Sequence, residues 1–277
     1  MYLGKFNTLY ALRRASCGIF LGESDGDQDV LLPNKYIPDS LELDGAIDVF
    51  IYKDSEDRII ATTLTPKILL HQFATLEVTE VNGIGAFLDW GLEKDLFLPF
   101  REQMSLVQKG DKVTVFLYLD EKTDRLVASA KVRKFAEEDV DLKEWEEVDL
   151  LIDRKSDLGF QVIINNKYIG LLFANEVFQP LSKGDRVKGF IKNIREDGKI
   201  DVSLQKQGYN KIGDSQELLL KKLQENGGVL HLTDKSDAGL IVQKLKMSKK
   251  VFKKTVGALY KQRKIKIESD CIILNQK

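Results

Sequence analysis

The chain has 277 residues, 43% hydrophobic and 31% charged, apolar enough to build cores and too apolar for a disordered chain. Its 42 Lys and Arg against 43 Asp and Glu leave a net charge of -1, without the excess of base that marks nucleic-acid and membrane-surface binders. Two cysteines at opposite ends and two isolated histidines exclude a disulfide framework and a clustered zinc site, and no run of about 18 apolar residues offers a membrane-spanning helix. Residues 1–14 lack the apolar core of a signal peptide, so a cytoplasmic location is expected.

Along the chain, three segments repeat one another. The first runs Gly18-Ile19-Phe20-Leu21, Val30-Leu31-Leu32-Pro33, Ile47-Asp48-Val49-Phe50 and Arg58-Ile59-Ile60-Ala61. The second runs Gly85-Ala86-Phe87-Leu88, Leu96-Phe97-Leu98-Pro99, then Lys109-Gly110-Asp111-Lys112-Val113, and Arg125-Leu126-Val127-Ala128. After an acidic stretch the third runs Gly159-Phe160-Gln161-Val162, Gly170-Leu171-Leu172-Phe173, Lys183-Gly184-Asp185-Arg186-Val187 and Lys199-Ile200-Asp201-Val202. Each unit is a set of short alternating segments bounded by Gly, Asp and Asn, the mark of a small all-β domain. Residues 120–124 and 195–199 read as hairpin turns. Five short strands in such a length fit an oligonucleotide-binding barrel.

The acidic stretch, residues 137–149, places Phe135, Leu142, Trp145 and Val148 near helical spacing and predicts a short linker helix or tether. Beyond residue 210 the pattern turns helical. Asp214 with Glu217 predicts a cap before Leu219, Leu220 and Leu223, Ser236 caps a second helix through Leu245, and Ser248 caps a third over residues 249–261. Two short strands follow, residues 264–268 and 271–274. Three helices closed by a hairpin read as a winged helix-turn-helix, whose third helix and wing usually face nucleic acid. The expected fold is mainly β with a C-terminal α/β module: three tandem five-stranded barrels (1–64, 65–136, 150–209), a linker (137–149) and a winged helix (210–277).

The strings Gly85-Ala86-Phe87, Gly170-Leu171-Leu172-Phe173-Ala174-Asn175-Glu176 and Lys183-Gly184-Asp185-Arg186-Val187 resemble the S1-type RNA-binding domain. Three barrels followed by a winged helix resemble the bacterial conserved virulence factor B family over essentially the whole chain. The resemblance implies a regulatory protein that binds single-stranded RNA in the cytoplasm, without cofactor or metal. It also implies a stacking platform just before the second-strand glycine, two residues after it, and on the third strand. Those positions hold Cys17, Phe20 and Leu32, then Ile84, Phe87 and Leu98, then Leu158, Gln161 and Phe173, with Tyr168 nearby.

Self-comparison aligns Phe50, Phe116 and Phe190 on the outward row of the fourth strand. A ring beside Asp48 fits packing, as does Phe116, whereas Lys188, Phe190 and Lys192 form a basic-aromatic-basic stripe open to RNA. Charge divides the same way. Residues 1–65 hold 11 acids and 6 bases, residues 137–149 hold 8 acids and 1 base, and residues 211–277 hold 7 acids and 15 bases. On the third helix Phe252, Val256 and Leu259 form the apolar stripe, while Lys250, Lys253, Lys254 and Lys261 surround Gly257, a point of close approach or of helix packing. Arg263, Lys264 and Lys266 carry the base into the wing.

The leading expectation is a non-enzymatic RNA-binding regulator that works mainly through the third barrel and winged helix. A winged-helix DNA-binding transcription regulator is the alternative, and a nuclease the weaker one. His71, His231, Asp89, Asp95 and Asp120 form no recognisable catalytic motif. The acidic N-terminal half is expected to meet a protein partner or an intramolecular contact rather than phosphate, and no membrane.

Overall fold

A computed structural model describes residues 1–23, 28–177, 179–205, 212–245 and 247–275. The chain divides into two compact units, Met1–Glu137 with Asn166–Tyr168, and Glu138–Asn165 with Ile169–Lys277.

In the first unit, β1 (Phe6–Ala15), β2 (Gly18–Gly22), β3 (Asp29–Pro33), β4 (Ala46–Lys53) and β5 (Ile59–Thr62) close into a barrel of order β1-β2-β3-β5-β4. A register shift between Ala11 and Arg13 bends β1 so that it pairs with both β2 and β4. Period-two alternation sends Leu9, Ala11, Ile19, Leu21, Leu32, Val49 and Ile51 into one core.

The second repeat gives β6 (Phe73–Asn82), β7 (Gly85–Asp89), β8 (Leu96–Pro99), β9 (Lys112–Asp120) and β10 (Arg125–Ser129), in the order β10-β9-β6-β7-β8. This is the strand order of the expected barrel, left as a half-barrel between β8 and β10. No ladder joins β8 to β10 among the described residues. Glu102, just past β8, spans the seam instead: its carbonyl accepts from Ala130 N at 2.9 Å and its carboxylate from Ser129 Oγ at 2.6 Å. In the second unit β11 (Glu147–Ser156), β12 (Gly159–Ile164), β13 (Tyr168–Phe173), β14 (Arg186–Ile194) and β15 (Ile200–Ser203) close again, through a parallel β13–β15 ladder.

Two glycines explain why the repeats share a letter. A Cβ at Gly18 would run into the carbonyl of Leu32, and one at Gly159 into the carbonyl of Leu172, so only glycine lets the second and third strands approach.

The stretch 137–149 contains no helix. Trp145 adopts φ 66 and donates its N–H to Ile191 O at 2.6 Å, and β11 begins at Glu147. His71 does the same before β6, with φ 66 and an N–H to Leu117 O at 2.9 Å. The apparent helical spacing therefore joins a left-handed turn residue, Trp145, to an inward strand residue, Val148. The fourth-strand rings do pack. Phe50 is fully buried and meets Trp90 edge-on at 5.7 Å, and Phe116 stacks on Phe135 at 4.4 Å.

The C-terminal module comprises α1 (Ile212–Glu225), β16 (Val229–Leu230), α2 (Ala238–Leu245), α3 (Lys249–Lys261), β17 (Ile265–Ile267) and β18 (Ile272–Leu274). Leu219, Leu223, Leu230, Ile241, Leu245, Phe252, Val256, Leu259, Ile265 and Ile272 share its core. Ser248 caps α3 as predicted, accepting from Val251 N at 3.2 Å. Two other caps differ. α1 begins by Ile212, so Asp214 lies inside the helix. At α2 the cap is Asp237, which accepts from Gly239 N at 2.7 Å, while Ser236 accepts from Thr233 N.

Candidate nucleic-acid interface

On the third barrel, alternation along β14 turns Gly189 and Ile191 inward and leaves Lys188, Phe190 and Lys192 outward, as expected. Phe173, at the end of β13, is half-buried, with Lys192 Nζ 5.9 Å and the Arg195 guanidinium 6.0 Å from its ring centroid. A ring with two cations near it suits a stacked base beside a phosphate. Each cation is already tied. Lys192 pairs with Glu176, Lys188 with Asp149 at 2.7 Å, and Arg195 with Asp201 through two bonds of 3.0 and 2.8 Å. The Asp149 hydrogen bond holds the Lys188 ammonium above its ordinary pKa, and Asp201 does the same for Arg195.

Two expected platform members of this barrel are not on offer. Tyr168 is 4% exposed, so its ring has no open face for a base. Gln161 is 7% exposed, donates to Asp153 at 2.7 Å and accepts from Arg154 at 3.0 Å. Leu158, at 65% exposure, stands open beside them in sequence.

In the first unit, Phe20 lies under the Arg13 guanidinium, 3.7 Å from its centroid, and Arg13 is held by Asp29. Phe20 lines an open groove of about 790 Å³ with Leu31, Tyr36, Tyr52, Arg58 and Ile60. Its rim cations are paired too, Arg58 with Asp54 and Lys35 with Glu93. Phe87 packs against Phe97 at 5.4 Å. Leu32 and Leu98, expected on the platform, are fully buried core residues. The outward neighbours are Leu31 and Phe97, one residue earlier, because a single-residue offset in a strand changes its face. Cys17 and Ile84 are exposed as the pattern requires.

The winged helix presents its base differently. Lys250, Lys253, Lys254 and Lys261 stand exposed along α3, and Arg263, Lys264 and Lys266 continue into the β17–β18 wing. Lys253 lies 3.6 Å from Asp234. Among the described residues, Lys250, Lys254, Lys261, Arg263, Lys264 and Lys266 have no carboxylate at ion-pair distance. Tyr260, 55% exposed, lies on the same helix. This surface can take phosphate without giving up an internal partner, and it offers a ring beside the cations.

The side chains weighed as catalytic are scattered in their partners. Asp89 binds Lys67, Asp95 accepts from Thr79 at 2.7 Å, and Asp120 faces Arg101. His71 is the turn residue described above, and His231 is exposed, 4.0 Å from Asp270. Sequence reasoning missed Arg195 beside Phe173 and the Tyr36–Tyr52 wall beside Phe20. The hairpin position of Arg195, directly after β14, was the available signal.

Comparison with known proteins matches the S1 domain family model to residues 3–64 and 72–131, and the CvfB-like winged helix domain model to residues 217–274. The uncharacterized protein YitL of Bacillus subtilis is 26% identical over 276 residues, covering 95% of this chain and 90% of its own. Conserved virulence factor B of Staphylococcus epidermidis is 25% identical over 268 residues, 93% of this chain and 90% of its own. A solved multidomain protein with nucleic acid binding domains from Streptococcus pneumoniae is 24% identical, covers 99% of this chain and 98% of its own, and superposes with a TM-score of 0.44. The chain thus carries S1 domains and a CvfB-like winged helix domain, and it is similar over most of its length to YitL and to conserved virulence factor B.

Proposed function

We propose that this chain is a non-enzymatic cytoplasmic regulator that binds single-stranded RNA, mainly through the third barrel and the winged helix. The observation that carries this reading is the cationic face of α3 and the wing, where Lys250, Lys254, Lys261, Arg263, Lys264 and Lys266 have no carboxylate partner among the described residues, on the module whose residues 211–277 hold 15 bases against 7 acids. The domains are those of a nucleic-acid-binding regulator. The preference for a single strand rests on the half-buried Phe173 between two cations and on the exposed Tyr260, since rings stack on unpaired bases.

In this reading residues 1–64, 65–136, 150–209 and 210–277 act as modules and 137–149 as a tether. The acidic first barrel, with its rim cations paired, meets a protein or another part of the chain rather than phosphate. α3 displays mostly Lys, a point charge for phosphate, and little Arg, Asn or Gln to read base edges in a duplex. Competition between a single-stranded RNA and a duplex DNA of equal length tests this. RNA is expected to win at every salt concentration, and preference for the duplex would replace this reading with that of a transcription regulator. Incubating end-labelled RNA with the protein and Mg²⁺ or Mn²⁺ tests the non-enzymatic part, with intact RNA expected.

A further inference from the structure

Gly257 stands in the middle of α3, where glycine is the poorest helix former after proline. Nothing among the described residues asks for it. Its backbone is not left-handed, and a Cβ there would meet no described atom beyond its own helical turns within 4 Å. Gly18 and Gly159 differ, because a Cβ on either would strike a paired strand. Helix packing, the other reason for a mid-helix glycine, is thereby removed.

The residues one turn away on either side are Lys253, Lys254, Tyr260 and Lys261, all exposed. Four long side chains around a missing one leave a notch, with ammonium groups and one ring at its rim. Six residues on, the choice is reversed. Arg263 ends the helix at φ 56, the left-handed position where glycine is usual, and Lys264 N–H closes on Leu259 O at 3.0 Å. A glycine stands where the helix favours a side chain, and an arginine where the turn favours glycine. No packing contact among the described residues asks for the glycine, and an external anion that approaches the helix backbone accounts for it, with Arg263 exposed just beyond the helix end.

We infer that Gly257 is the point at which the sugar–phosphate backbone of bound RNA lies against α3, with Arg263 fixing the adjacent phosphate. This rests on the RNA-binding role of α3 proposed above.

The test uses the full chain and a fluorescein-labelled 20-nucleotide single-stranded RNA, titrated over a range of salt. Gly257→Ala is expected to weaken binding about fivefold, the scale of one displaced charge-assisted contact, and Gly257→Gln more. Neither removes a charge, so the salt slope stays unchanged, whereas Arg263→Gly lowers it by about 0.7. Amide exchange along α3 slows about two- to fivefold in Gly257→Ala, because alanine is the better helix former. Lys250→Gln with Lys254→Gln is the reference. If it weakens binding while both Gly257 variants bind normally, the inference about Gly257 is overturned and the role of α3 stands. Should the lysine variant bind normally too, the role of α3 itself fails. Faster exchange along α3 in Gly257→Ala would mark the glycine as structural and also overturn the inference.

Discussion

The third barrel and the winged helix both carry an excess of base, and they hold it in opposite ways. In the barrel Lys188, Lys192 and Arg195 are bound to Asp149, Glu176 and Asp201. On α3 and the wing, Lys250, Lys254, Lys261, Arg263, Lys264 and Lys266 face water. A cation held by a carboxylate gains only the difference between two anionic partners when phosphate arrives. A solvated one gains the whole counterion-release term. Net charge thus locates a module, and pairing decides how much of the charge a ligand can use. The barrel offers a positioned ring, and the winged helix offers free charge.

The largest effect is expected on the free charge. Replacing Lys250, Lys254, Lys264 and Lys266 together by Gln should weaken RNA binding about a hundredfold at about 0.1 M salt and reduce the salt slope by about 3. Next comes the ring: Phe173→Ala should cost about 1–3 kcal/mol of binding with an unchanged slope, read by the same titration. Smaller still, Lys188→Gln and Lys192→Gln should each change affinity less than about threefold, since each cation already has a partner. Their partners sharpen the point, because Glu176→Gln frees Lys192 and should tighten binding. At the bottom of the scale stands Phe116→Ala. It should leave RNA affinity unchanged while removing about 3–5 kcal/mol from the stability of the first unit, measured by denaturant unfolding. A fall in RNA affinity there would make the Phe116–Phe135 stack a binding surface.

The repeats were legible because their constraints are local. The second-strand glycines, the alternating strands and the hairpin turns at residues 120–124 and 195–199 all follow from backbone sterics that a sequence records directly. So did Ser248 as the cap of α3 and the packing role of Phe50 and Phe116. What stayed hidden depends on contacts between residues far apart in the chain. The open seam of the second sheet turns on Glu102 reaching Ser129 and Ala130. The burial of Tyr168 and the ion pairs of Lys188 and Lys192 are of the same kind. The platform positions Leu32 and Leu98 failed for another reason. A motif transferred one residue out of step in a strand lands on the core face, and there Leu31 and Phe97 take the outward places. The linker helix failed because three of its four apolar residues, Phe135, Trp145 and Val148, came from a ring stack, a turn and a strand.

In the proposed function nucleic acid is held by the C-terminal half and not by the acidic N-terminal half. Photo-crosslinking of a uniformly labelled single-stranded RNA to the full chain, with the attached peptides identified by mass, tests it most directly. Crosslinks are expected at Phe173 and along residues 250–266, with Tyr260 the foremost aromatic site. Crosslinks concentrated in residues 1–136, at Phe20 or Phe87, would contradict it.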